Sequence, residues 1–234
     1  MALDIIFEDS YFICVNKPNN MVVHHAHHSR NVADETSLLQ LILAEKGIKV
    51  YPIHRLDRKT SGSMLLAKET MYVSKFQELF TNGEIEKTYY GVVRGFSPET
   101  KIIDSPVKGR DSNAYKEALT HLKTLEQVVL EIPVKPYTSS RYSLVELKPK
   151  TGRIHQLRLH ALKISHPLIG DIKYGDKNHD VMFDQNFGWK NMFLHAGTLK
   201  FKHPFSEENV LLKATFPKDW ISLFEAFSWK NPII

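Results

Sequence analysis

A single cysteine, Cys14, occurs in the 234 residues. No disulfide can close within the chain, and a cysteine-rich zinc site is excluded. Its neighbours Tyr11, Phe12, Ile13 and Val15 favour strand, so Cys14 reads as a buried strand residue. A free thiol of that kind suits a reducing compartment, and a cytoplasmic location is expected. No apolar run approaches the ~20 residues of a membrane span, so no membrane partner is expected. Asp4, Glu8 and Asp9 stand where a secretory signal would need a basic segment. Nor is there a Walker loop, a dinucleotide-binding glycine pattern or a zinc ligand set. These gaps argue against nucleotide hydrolysis, nicotinamide redox chemistry and zinc catalysis. Internal repeats and low-complexity segments are missing too.

What remains is an ordinary globular composition. Hydrophobic residues make up 42% and charged residues 24%, enough apolar chain to bury a core. The whole of 1–234 reads as one domain. A net charge of +5 suits a polyanionic partner. Ile5-Ile6-Phe7 and Tyr11 to Val15, split by Glu8-Asp9-Ser10, predict a strand pair. The spacing predicts helices over 36–46, stopped by Gly47, and over 70–82, closed by Gly83. Strands are expected over 64–68, 88–94 and 140–148, a helix over 155–163, and a hairpin from 118–125 and 128–133. Residues 95–116 read as an exposed connection and a candidate flap; 134–139 form a Pro-containing loop, and 181–190 look irregular. Val210, Leu212, Ala214 and Phe216 give a last strand with one buried face. Trp220, Leu223, Phe224 and Phe227 give a closing helix. Strands interspersed with helices, without regular βαβ alternation, indicate the α+β class. Four histidines between His24 and His28 raise the question of a metal. No acid or cysteine lies close enough to complete a ligand set, so a solvated loop is preferred.

The chain is organised around His54-Arg55-Leu56-Asp57-Arg58-Lys59-Thr60-Ser61-Gly62. Here a carboxylate stands among cations, and nearby guanidinium groups favour its ionised form. An ionised carboxylate can serve as nucleophile or electrostatic stabiliser. Tyr51-Pro52-Ile53 and Met64-Leu65-Leu66-Ala67 flank the stretch with apolar residues, which places it at the edge of a core.

Those nine residues resemble the catalytic motif of the RluA-type pseudouridine synthases. Five further segments match that family in order: Asn16-Lys17-Pro18, Lys87-Thr88-Tyr89, Thr151 to His160 (TGRIHQLRLH), His166 to Asp171 (HPLIGD) and Leu194-His195-Ala196. The resemblance spans roughly residues 5 to 217. It implies a mixed, largely antiparallel central sheet with helices and a basic active-site cleft. It also implies a catalytic domain without the S4-like RNA-binding domain that many members carry.

By the same resemblance Asp57 is the essential aspartate, Tyr89 the phenol that stacks on uracil, and Arg158 the guanidinium that fixes the aspartate. Arg55 matches the arginine that enters the RNA stack when the uridine flips out. His54, Arg153 and His155 join it as RNA-contacting candidates, and Leu194 as a pocket liner. The implied reaction detaches uracil from C1′, rotates it and rejoins it through C5 with no redox step or energy input, so no cofactor is expected, in agreement with the missing nucleotide, dinucleotide and zinc motifs. RNA is the expected partner, with the 95–116 flap and the His24 to His28 tract as further candidates to contact it, and the protein is expected to act as a monomer. The stretch Thr138 to Leu147 and the paired Gly170-Asp171 and Gly175-Asp176 look most like the branch that modifies transfer RNA at uridine 65. Ribosomal RNA or another transfer-RNA position is the runner-up. Two other classes stay open: an RNA-binding module that keeps the motif without catalysis, and a glycoside hydrolase, which usually needs a second carboxylate.

Overall fold

The computed structural model describes residues 3–24, 35–108 and 114–233. The tract from His25 to His28 and residues 109–113 of the expected flap lie outside them. In chain order the elements are β1 (Ile5–Glu8), β2 (Phe12–Lys17), α1 (Leu38–Lys46), β3 (Tyr51–Pro52), β4 (Ser61–Ala67), α2 (Thr70–Thr81) and β5 (Glu86–Arg94). There follow β6 (Thr100–Asp104), β7 (Val107–Lys108), β8 (Tyr115–Lys116), β9 (Leu119–Leu130), β10 (Ser140–Pro149) and α3 (Gln156–Lys163). The last are α4 (Lys177–Phe187), β11 (Leu194–Lys202), β12 (Asn209–Lys213) and α5 (Lys218–Phe227).

These elements fall into two compact units, each assembled from separated pieces of chain. The first comprises residues up to Glu86 together with Ala196–Thr215; the second comprises Lys87–His195 and Phe216–Pro232.

In the first unit β1, β2, β4 and β11 lie side by side, with β3 on β4 and β12 on β11. β1 and β2 form the expected antiparallel pair, and β2 pairs antiparallel with β4, Phe12 opposite Ala67 and Lys17 opposite Gly62. The core behind this sheet joins Phe12, Cys14, Leu65, Phe76, Leu199, Phe201 and Leu212. Every residue of β4 is buried, so its sequence shows no alternation. α1 begins with a capping box in which Ser37 and Gln40 satisfy each other's ends. It stops at Gly47, whose left-handed backbone returns an N–H to Leu43. α2 covers the sheet with Phe76, fully buried, and with Val73, Leu79 and Phe80 packed beside it.

In the second unit β5, β10, β9 and β6 lie side by side in that order, each antiparallel to the next, and β7 pairs with β8. The hairpin expected within 118–133 does not form. β9 runs unbroken for 12 residues and pairs with β10 instead. Residues 125–128, Leu-Glu-Gln-Val, contain no Gly, Pro, Asn or Asp to turn the chain, and the Gln127 amide is held by the Ser97 carbonyl. Nor is the segment around 181–190 irregular: most of it is α4. Asp176 caps its start by accepting from the Asn178 N–H, and Gly188 ends it in the left-handed region. The reading of 95–116 also changes, because β6, β7 and β8 give most of its described part regular structure. α5 buries Trp220, Leu223, Phe224 and Phe227, the spacing of one helical face. Phe227 meets Phe183 of α4 edge-on at 6.1 Å, within an aromatic cluster that includes Trp189 and Phe193. Truncating Trp220, 1% exposed, to Ala would cost about 3–5 kcal/mol. The α+β class expected from the sequence is the one that forms.

Candidate active site

The Asp57 loop, residues 54–60, leads from β3 into β4 in the first unit. It is fastened from three sides. His54 anchors its start: the Leu65 N–H donates to His54 Nε2 at 3.0 Å, and the ring packs on Phe80. Leu56 is buried, while Arg55 is exposed and Asp57 partly so. The Thr60 N–H closes a turn on the Asp57 carbonyl at 3.0 Å. The end of the loop is fixed by Gly62, at φ +112, where any Cβ would overlap the Ala196 carbonyl oxygen. Only glycine allows that approach. It joins the glycine of the first motif to the alanine of Leu194-His195-Ala196, two segments that the sequence shows only as separate matches.

The third fastening is Lys17. Its side chain is fully buried beneath the loop, and its ammonium donates to the carbonyls of Pro18 at 2.9 Å, Met21 at 3.0 Å and Arg58 at 3.0 Å. Burial pushes this ammonium down to about 7, the Asp57 carboxylate pulls it back up, and the Arg58 guanidinium adds to the push. Three carbonyl acceptors match the three N–H donors of the charged form, one more than a neutral amine can offer. The same turn makes two further links. Asn19 Nδ2 donates to the Lys59 carbonyl at 2.7 Å, and Arg58 Nε to the Asn20 carbonyl at 3.0 Å. Arg58 also pairs with Glu35 at 3.0 Å. The segment Asn16-Lys17-Pro18-Asn19-Asn20 is thus the platform on which the aspartate loop rests. Sequence reading noted its lysine and proline without giving Lys17 a task.

The second unit holds the other group of sequence-predicted residues. Arg158 lies on α3, 7% exposed, and its planar fork is met by Asp171: Nε to Oδ2 at 2.7 Å and Nη2 to Oδ1 at 2.6 Å. Asp171 in turn accepts the N–H groups of Lys173 and Tyr174. The Arg158 guanidinium lies over the Tyr174 ring, 4.9 Å from its centre. His155, with a left-handed backbone at the start of α3, meets the Tyr174 hydroxyl through Nδ1 at 2.9 Å. Lysine could not make this bidentate, ring-stacked arrangement. Asp171 and Tyr174 carry no distinguishing local pattern beyond the HPLIGD match. Their partnership with Arg158 is long-range and invisible to spacing.

Gln156 locks the turn that precedes α3. Its buried amide accepts from Thr151 Oγ1 at 2.7 Å and from the Arg153 N–H at 3.0 Å. It donates to the Leu119 carbonyl and to Thr120 Oγ1. Arg153 is exposed, and its Nε reaches the Glu117 carbonyl. Burial holds His160 below the usual imidazole range, against the opposing pull of the Ser105 carbonyl and Asp104. Its two ring nitrogens meet Thr120 Oγ1 and the Ser105 carbonyl, both at 2.9 Å. Leu157 and Ala161 of the same helix pack with Val93, Val145, Leu168 and Leu194 into one core, against which Tyr89 of β5 lies. The structure therefore places Tyr89 and Leu194 at one hydrophobic cluster, Arg158 on the helix that contributes Leu157 and Ala161 to it, and His54, Arg55 and Asp57 in one loop. Among the described residues no group of His, Cys, Asp and Glu is arranged to hold a metal.

Residues 11–163 match the model of the RNA pseudouridylate synthase family. The chain is 33% identical to tRNA pseudouridine synthase C of Vibrio cholerae, over 99% of this chain and 98% of that one. It is 36% identical to the protein of the same name from Pasteurella multocida, again covering 98% of each. Among solved structures, human RNA pseudouridylate synthase domain containing 4 superposes with a TM-score of 0.74 at 25% identity, over 98% of this chain and 94% of that one. Human RNA pseudouridylate synthase domain containing 1 shares the fold, with a TM-score of 0.72 at 24% identity over 92% of this chain and 84% of that one. The six ordered motifs, the clamped aspartate loop and these matches lead to one assignment: the chain belongs to the RNA pseudouridylate synthase family and is a pseudouridine synthase, an isomerase.

Proposed function

We propose that this protein isomerises uridine to pseudouridine in transfer RNA, at uridine 65, and works in the cytoplasm, where its buried thiol stays reduced. The observation that carries the transfer-RNA assignment is its full-length similarity to proteins named tRNA pseudouridine synthase C. Asp57 is the nucleophile at C1′, or the base that removes a sugar proton. The loop architecture supports this role: the carboxylate sits on a segment pinned by Lys17, His54 and Gly62, so the reacting group is held before substrate arrives. Tyr89 offers its ring to uracil and its oxygen to the C5 proton. Arg158 acts as the basic partner of that aspartate in this reading, and Asp171 fixes the orientation of its fork. Exposed Arg55 takes the place of the flipped uridine in the stack. Arg153 and His155 meet the RNA backbone, His54 holds the loop that presents Arg55, and Leu194 lines the uracil pocket.

Asp57→Asn tests the reading. Asparagine keeps the shape but loses the charge and the nucleophilicity. The variant should fold and bind transfer RNA at least as tightly, because one negative charge leaves the site of a polyanion. Tritium release from C5-labelled uridine should fall to background. Release at the wild-type rate would show that Asp57 is not the reacting carboxylate. No release by wild type from transfer-RNA transcripts, with release from ribosomal transcripts, would move the substrate to ribosomal RNA.

A further inference from the structure

Within the second unit, beyond the end of β5, lies a pocket of about 420 Å³ to which no step of the isomerisation has been assigned. That volume falls in the range of small-molecule and nucleotide sites. Its walls come from the C-terminal end of β5, the 135–141 segment, the turn after α3 and the start of α4. Arg94, Lys135, Arg141 and His166 line it with basic groups. The carboxylate in the wall, Asp176, is already committed: it pairs with Arg94 and caps α4 through the Asn178 N–H. Arg141 and Lys135 are exposed at the mouth, as is Tyr137, with 71% of its surface open. Arg141 is steadied over the Phe96 ring at 5.5 Å.

The floor is rigid. Gly95, at φ +82, donates its N–H to the Arg141 carbonyl at 2.7 Å and accepts from Ser143 Oγ at 2.8 Å. His166 Nδ1 donates to the Arg94 carbonyl at 2.8 Å, which turns Nε2 away from that bond. An exposed aromatic ring beside two exposed cations is the arrangement that takes an unstacked nucleotide, base on ring and phosphate on charge. Arg94 is five residues from Tyr89 along β5, about 17 Å at strand rise, too far for both to touch the same nucleotide.

The geometry points to a second nucleotide subsite: this pocket holds an unstacked nucleotide of the RNA substrate other than the one isomerised, its phosphate on Lys135 and Arg141 and its base on Tyr137. The inference rests on the transfer-RNA reading above. Its test uses the whole protein and a full-length transfer-RNA transcript. Lys135→Ala/Arg141→Ala should raise KM about tenfold, leave kcat within about twofold, and shrink the slope of log affinity against log salt by about 0.7 for one phosphate. Tyr137→Ala should raise KM about tenfold with the salt slope unchanged. Wild-type KM in both variants, while the wild type itself forms pseudouridine, overturns the subsite and leaves the proposed function standing. A wild type that forms none fails the function, and filter-binding affinities of the variants still decide the subsite. Adenosine monophosphate is the last arm. Displacement of RNA from wild type but not from the double variant supports the site. Tight binding of the free nucleotide by a double variant with unaltered RNA affinity makes the RNA assignment wrong.

Discussion

Asp171→Ala would test the internal architecture of the site most sharply. Arg158 and Asp171 are 8% and 1% exposed at their side chains and are joined by two charge-assisted bonds of 2.6 and 2.7 Å. Removing the carboxylate leaves a buried guanidinium without its two-point partner, which costs about 3–5 kcal/mol. The backbone N–H groups of Lys173 and Tyr174 lose an acceptor as well, but water can replace it at that partly open turn. For a chain of this length each kcal/mol shifts Tm by about 2–4 °C, so the melting point should fall by about 6–20 °C. Catalysis should fall further than stability alone explains. A fork displaced by about 1 Å costs roughly 10²-fold in kcat at temperatures where the variant is still folded. Circular-dichroism melts and tritium release on the same preparation read both effects. Arg158→Met/Asp171→Leu supplies the control: with both charges gone, most of the lost stability should return while activity stays absent. A single variant melting within 2 °C of wild type, or a double variant no more stable than the single one, would refute the reasoning.

Lys17→Met keeps the length of the buried side chain and deletes the donors to Pro18, Met21 and Arg58. It should lower stability by about 3 kcal/mol and kcat by more than tenfold with little change in KM, read by urea titration and steady-state kinetics. Unaltered kcat would free the Asp57 loop from its platform. A third expectation concerns acid. Burial holds His160 and His179 below their usual range, so between about pH 6.5 and their folded values the unfolded chain binds more protons. Their contribution is complete above about pH 6.5 and is lost as pH falls below it. Stability should drop between pH 6.5 and 5 with a slope of up to about 1.4 kcal/mol per pH unit for each group, less steeply in His179→Phe. A flat profile across that window would contradict the assignment.

Elements whose signals are local were legible in the sequence. α1 carries its own capping pair and stop glycine, α5 shows four apolar residues on one face, and the β1–β2 pair has its turn written between two apolar runs. α4 was misread because His179 and Asp180 stand among its apolar residues, although Asp176 and Gly188 mark both ends. The lost hairpin has the opposite cause: two β-favouring runs were split at a polar pair, Glu126-Gln127, that has no turn chemistry. The candidate site was legible as motifs but not as a mechanism of support. Lys17 reaches Arg58 across 41 positions, and Arg158 reaches Asp171 through a turn that bends back on a helix. No periodicity encodes such pairings; only the folded chain makes them.

The division of the first unit into two distant pieces of chain has a consequence for synthesis. Leu65, Phe12 and Phe76 emerge early, but their core partners Leu199, Phe201 and Leu212 belong to the returning segment Ala196–Thr215. About 110 residues separate the two pieces, roughly 5 to 22 s of translation at 5–20 residues per second. Throughout that interval the part of the β4 edge that β3 does not cover, and that later receives β11, has no strand beside it, and unpaired edges recruit other chains. The nascent protein therefore cannot follow the usual order in which the amino-terminal part folds first. The antiparallel strands β5, β6, β9 and β10 of the second unit are complete while the aspartate loop still waits for its last strands, so a ribosome stalled before Ala196 would hold a chain with Asp57 present and its glycine clamp unmade.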